Sequence, residues 1–277
     1  MGNKKYTYIK RNNFYIKNNY ESLKFFIKYI HVGREVPKAA NHQFIRYFFN
    51  KTFSFLIFFF YVSGLFSFFT KKEKLEENFV CRRIGKGNWP NIITIKKEKG
   101  KYWVYKKVHS KKEYKKENKF YETYKNNKSK IKLPKHYFLK EGVIKIEFIK
   151  YKNFEKIIKQ GLYSEKELYK IFKILVEEII NLYKDKKGKY FIQGDFGLQN
   201  LFVNKKDKKI MLIDYSDCFK GSFYYDIYVL HSQLSKFLSE KKLQQIICEV
   251  LKKNKLKKIN LYKQNKLSCE IKSKKLS

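Results

Sequence analysis

Apolar residues at Leu168, Ile171, Leu175, Ile179 and Leu182 recur every three or four positions, and that spacing predicts one long amphipathic helix over 164–183. Ser164 with Glu167 three residues later reads as a capping box at its start. The stretch from 79 to 150 has a different pattern. Short apolar runs, Ile92 to Ile95, Tyr102 to Val108 and Val143 to Ile149, alternate with turns and predict strands. One helix interrupts them near 111–126, where Ser110 and Glu113 form a second capping box. On it Tyr114, Glu117, Tyr121 and Tyr124 fall on one inward stripe, flanked by Phe120. Further on, Leu201 to Val203 and Ile210 to Ile213 flank the polar turn N-K-K-D-K-K and predict an antiparallel hairpin. Helical segments follow to about 253, and no internal repeat is present. The class is α+β.

The ends differ from this centre. Residues 1–78 read as a basic extension, irregular at first, and 256–277 as a basic tail. Phe53 to Phe69 carries no charge and has lysines on both sides. As a helix it spans about 25 Å against ~30 Å for a bilayer core, so it is marginal as a span and equally readable as a buried or interfacial helix. Over 277 residues the hydrophobic fraction is 43%, which excludes a wholly disordered chain. Four cysteines, none at C-x-x-C spacing, exclude a disulfide scaffold and a zinc ribbon and fit a reduced, cytoplasmic setting. The net charge is +39. It points weakly to an anionic partner, because a chain so rich in Lys, Asn, Ile, Phe and Tyr also carries the mark of AT-rich codons.

The chemistry concentrates in Q-G-D-F-G-L-Q-N-L-F-V-N-K-K-D-K-K-I-M-L-I-D-Y-S-D, Gln193 to Asp217. A hairpin brings the start of its first strand beside the end of its second, so Asp195 and Asn200 are expected close to Asp214. Two carboxylates and a carboxamide on one edge repel or gather a cation, and hard oxygens suit Mg²⁺ with bound phosphates. Upstream, strand 101–108 offers Lys106 and Lys107. Strand alternation puts Val104 with Lys106 on one face and Tyr105 with Lys107 on the other, and Lys106 is favoured as the inward residue. Glu117 inside an aromatic stripe is costly unless paired, and Lys106 is the obvious partner.

D-x-x-x-x-N, a strand pair and then I-D resembles the catalytic and metal-binding segments of the protein-kinase-like superfamily. The likeness is to the branch of aminoglycoside phosphotransferases, choline kinases and lipopolysaccharide-core sugar kinases, and it covers about 84–230. The resemblance implies a two-lobed fold: a small antiparallel β N-lobe with one helix over 79–150, and a mainly helical C-lobe over 151–255. It implies Asp195 as the catalytic base, and Asn200 and Asp214 as Mg²⁺ ligands beside ATP. It implies Gly85 and Gly87 in a phosphate-covering loop and Val104 under adenine. Lys106 would lie on phosphate, Glu117 would hold it, and Glu147 to Ile149 would form a hinge whose backbone takes adenine. The string E-N-K-F-Y-E resembles the E-x-x-F-Y run of that branch, and Asp226 in G-S-F-Y-Y-D matches a structural aspartate expected to cap a helix.

Departures narrow the reading. Gln193 stands where the family has a histidine that packs and hydrogen-bonds near the metal aspartate; a glutamine amide is able to do the same, and the replacement is a departure that bears on activity. Only 11 residues separate Asp214 from Asp226, which leaves no room for an activation loop and argues against a protein kinase. The expected reaction is γ-phosphoryl transfer from Mg-ATP to a hydroxyl of a sugar or glycan, lipopolysaccharide core being the preferred case. Peripheral contact with an anionic membrane at its inner face is expected, and no specific nucleic acid. The rival from another class is a degenerate kinase-like adaptor at a membrane or on nucleic acid.

Overall fold

The computed structural model describes residues 6–9, 14–17, 20–25, 79, 81–83, 92–184, 190–204 and 209–256. Gly85, Gly87, the apolar stretch 53–69 and the tail beyond 256 lie outside the described residues. The chain divides into two compact units, one of Met1–Lys111 with Lys135–Lys150 and one of Lys112–Pro134 with Tyr151–Ser277.

The first unit is built on strands β1 (Tyr6–Ile9), β2 (Phe14–Lys17), β3 (Cys81–Arg83), β4 (Ile92–Glu98), β5 (Lys101–Lys107), β7 (His136–Phe138) and β8 (Val143–Glu147). They form one antiparallel sheet in the order β1-β2-β3-β4-β5-β8-β7. The first two strands differ from the irregular structure expected over residues 1 to about 52 of the extension. Y-T-Y-I and F-Y-I-K are aromatic and β-branched runs that suit a pleated surface. Their brevity amid lysines hides them in the sequence. A short helix, α1 (Tyr20–Phe25), follows β2, and its Phe25 ring lies 4.3 Å from that of Tyr102 and 5.0 Å from that of Phe148.

Alternation along β5 is as expected: Lys106 is buried and Lys107 exposed. Lys106 stands opposite Ile93 and Ile144, and Val104 opposite Ile95 and Ile146, so these residues share one face. The other face carries Trp103 and Tyr105. There Lys145 pairs with Glu98 at 2.5 Å, with its ammonium 4.6 Å from the Trp103 ring centre.

The second unit takes in α2 (Lys111–Tyr124) from Lys112 onward, together with the adjoining β6 (Ile131–Lys132). The sequence pattern had grouped α2 with the strands around it. Its buried residues are Glu117, Phe120 and Tyr124, with Tyr114 and Tyr121 half-buried. Next come α3 (Phe154–Lys159), the long α4 (Glu165–Tyr183), β9 (Tyr190–Ile192), β10 (Leu201–Val203), β11 (Ile210–Leu212), β12 (Phe219–Gly221), α5 (Tyr224–Leu234) and α6 (Glu240–Lys253). Both halves of the Ser164–Glu167 capping box are present on α4. Its inward stripe buries Leu168, Phe172, Leu175, Ile179 and Leu182 in the main core. Ile171, expected on that stripe, is half-buried because Phe172 takes the inner place. Glu178 on α4 accepts hydrogen bonds from Ser129 Oγ at 2.9 Å and Lys130 N at 2.6 Å, which fixes the approach to β6.

β10 and β11 pair antiparallel with Leu201 opposite Leu212, and β6 adds to β11 in parallel. β9 pairs with β12. Among the described residues no helix is long and apolar enough to cross a membrane.

Candidate functional site

The turn after β9 is tied down from below by one buried carboxylate. Asp226 is fully buried, and its Oδ1 accepts from Gly194 N at 2.9 Å. Its Oδ2 accepts from Gln193 N at 3.1 Å and Tyr183 Oη at 2.6 Å. Asp226 therefore does not cap α5: Phe223 holds that position and Asp226 lies inside the first turn. Its oxygens are spent on backbone donors 33 and 32 residues upstream and on the Tyr183 hydroxyl, not on its own helix. Burial pushes its carboxyl up to about 6, although the three donors pull the other way.

Gln193 is also fully buried and bridges two segments. Its Nε2 donates to the Asp214 carbonyl at 2.7 Å, and its Oε1 accepts from Asp195 N at 2.8 Å. Gly194 has φ +81°, a left-handed conformation that glycine adopts without strain. A β-carbon there would run into the Asp217 carbonyl and the Phe219 ring.

Asp195 is then held by its neighbours. Asn200, on the 3-10 turn Leu198–Asn200, donates from Nδ2 to the Asp195 carbonyl at 2.9 Å and to its Oδ2 at 3.0 Å. Gln199 Nε2 donates to the same Oδ2 at 3.2 Å. The Asp195 carboxyl is raised above the ordinary range, first by burial and next by the charge of Asp217. Asn200 opposes this, and Asp214 adds to it. The charges of Asp217 and Asp214 thus both act on Asp195 at one edge of the second unit.

Asp214 follows β11 in the left-handed region, φ 58°, which aspartate tolerates better than most residues. Ser216 Oγ donates to its Oδ1 at 2.9 Å. Ile213 N donates to the Asn200 carbonyl at 3.0 Å, so the hairpin brings D-x-x-x-x-N and I-D together as its register requires. Next to Asp214, the buried Tyr215 stacks on Phe120 of α2, centroids 4.7 Å apart at 23°. Burial holds the Tyr215 phenol well above its usual range, and the Glu117 charge adds to the effect, which puts Glu117 beside this loop. Glu117 is 1% exposed.

In the first unit Lys106 is 7% exposed. The Glu147 amide donates to the Lys135 carbonyl at 2.9 Å, and the Phe148 amide to the Tyr102 carbonyl at 3.3 Å. Those amides are committed within the unit. Of the expected hinge donors, Ile149 N is the one that these bonds do not use.

Among the described residues no group of three or more His, Cys, Asp or Glu is arranged to hold a metal unaided. Mg²⁺ usually takes one or two carboxylates and completes its shell with water and phosphate oxygens. The Asp214 carboxylate and Asn200 Oδ1 are hard oxygens that fit that demand, and Asn200 already turns its nitrogen toward Asp195.

Sequence reasoning missed Asp217, whose charge acts on Asp195, and Gln199, which donates to it. An acid in a turn reads as a turn former, and no spacing rule marks a glutamine.

No family model matches the sequence. No curated protein matches it either. Among solved structures it is similar to macrolide 2'-phosphotransferase type I, at 10% identity and a TM-score of 0.39, over 61% of this chain and 78% of that one. A superposition that loose carries neither the fold nor the chemistry.

Proposed function

We propose that this chain is an ATP-dependent phosphotransferase of protein-kinase-like, two-lobed architecture that phosphorylates a hydroxyl group. One observation carries the reading. Asn200 donates to Asp195 while Ile213, next to Asp214, donates to Asn200, so base and metal-ligand candidates share one edge. In the reaction the acceptor O–H proton passes to the Asp195 carboxylate as the acceptor oxygen bonds the γ-phosphorus. The bridging P–O bond breaks, and ADP leaves with its electron pair. Asp214 and Asn200 Oδ1 hold Mg²⁺, which when bound neutralises charge on the phosphates. Gln193 and Asp226 position Asp195.

The nucleotide side belongs to the same proposal: Gly85 and Gly87 over the phosphates, Val104 against adenine, Lys106 on phosphate and Glu117 as its anchor. Glu147 to Ile149 serve the purine through backbone groups. The acceptor is a sugar, in an anionic membrane-attached glycan of the lipopolysaccharide-core kind. The support for that choice is the +39 charge, which disfavours free cationic acceptors and favours an anionic surface. The test is a Mg-ATP turnover screen of neutral sugars, anionic glycans and cationic acceptors. Phosphorylation of sugars or glycans supports the reading, and phosphorylation of cations alone eliminates the acceptor class.

A further inference from the structure

The turn after Asp195 contains a glycine whose conformation does not require one. Gly197 has φ −89° and ψ 159°, which any residue adopts. What it supplies is room. A β-carbon there would lie 2.5 Å from both terminal atoms of the Gln199 carboxamide and 2.7 Å from Gln233 Nε2. Two carboxamides converge on the space that a side chain would fill.

Each amide is half engaged. Gln233, on α5, accepts from Leu198 N at 2.8 Å through Oε1. Gln199 donates through Nε2 to Asp195 Oδ2 at 3.2 Å. Gln233 Nε2 and Gln199 Oε1 make no hydrogen bond to the described residues, and both side chains are half-buried. A donor and an acceptor therefore stand together beside the candidate base, partly open to solvent.

That pair complements a hydroxyl, which both donates and accepts. It does not complement an ammonium, which only donates and would leave the Gln233 N–H facing another N–H. We propose that Gln199 and Gln233 form the acceptor subsite and grip a hydroxyl neighbouring the one phosphorylated. The acceptor segment is then a neutral vicinal diol, as in a sugar or polyol, and amine-bearing acceptors are rejected. This rests on the phosphotransferase reading and adds the residues that choose the acceptor.

The experiment uses the full chain with Mg-ATP. Glucose, galactose and mannose serve as neutral probes; glucosamine and galactosamine serve as amine-bearing ones. Wild type is expected to prefer the neutral sugars. Gln233→Leu is expected to raise KM for them about ten-fold, with a smaller effect on kcat, the scale of one lost hydrogen bond. Gln233→Glu keeps an oxygen for Leu198 N, so the turn stays folded, but replaces the donor with a charge. Its preference is expected to swing toward the amino sugars. A wild type that takes only amines, or sugar KM values unmoved in both variants, overturns the subsite. No Mg-ATP turnover with any of these acceptors or with an anionic lipopolysaccharide-core glycan added to the panel is a different failure: it overturns the phosphotransferase reading, and the subsite falls with it.

Discussion

Gln193 and Asp214, 21 positions apart, are joined by a 2.7 Å hydrogen bond from the buried glutamine Nε2 to the aspartate carbonyl. The other end of the same amide receives Asp195 N at 2.8 Å. One side chain thus sets the spacing between the candidate base and the candidate metal ligand. Gln193→Leu has nearly the same size but leaves both backbone groups unpaired, at about 1–3 kcal/mol for each buried loss. It is expected to lower the urea midpoint and cut Mg-ATP turnover at least ten-fold. Gln193→His offers a donor and an acceptor and is expected to stay within a few-fold of wild type.

Asp226 makes a pH-dependent contribution to stability. Its carboxyl is raised by burial from 3.8 to about 6, so the folded state binds a proton more readily than the unfolded one. The associated stability is fully present below 3.8 and lost as pH rises through about 6. The shift corresponds to about 3 kcal/mol. Urea unfolding across that window is expected to show wild type losing stability relative to Asp226→Asn as pH rises. A constant gap between the two proteins contradicts the assignment.

Asp195 must be ionised to accept a proton, and burial followed by the Asp217 charge holds it protonated to higher pH than an ordinary aspartate. The acid limb of the rate profile is expected above 3.8. Asp217→Asn removes the second of those causes, so the limb moves to lower pH. An unmoved limb means that Asp217 does not act on the base.

Phe120 carries the contact between α2 and the Asp214 loop, fully buried and stacked on Tyr215. Phe120→Ala removes a large core side chain and is expected to destabilise by about 3–5 kcal/mol in urea titration. Phe120→Leu retains more volume and is expected to cost less than half of that.

How legible these features were depended on whether neighbours in sequence or distant segments determined them. Helix α4 and its capping box were readable because periodicity and a local Ser–Glu pair define them. The β10–β11 hairpin was readable because two apolar runs flank a polar turn, and its register then predicted that Asn200 and Asp214 meet. Strand alternation showed that Lys106 and Val104 share a face, but not that this face is the one that buries Lys106. β1 and β2 were not readable, since four-residue strands gain their stability from the sheet they join. The cap expected at Asp226 failed because its partners, Gln193 and Gly194, lie on another element. Gln199 and Gln233 had no signal at all, because their meeting depends on room at Gly197.

The central claim is that Asp195 and Asp214 act on one phosphoryl transfer. The direct measurement is Mg²⁺-dependent ATP turnover with a sugar or glycan acceptor, in wild type, Asp195→Ala and Asp214→Ala, with circular dichroism confirming that each is folded. The account predicts Mg²⁺-dependent turnover in wild type and a loss of roughly a hundred-fold or more in each variant. Equal rates in all three folded proteins would contradict it.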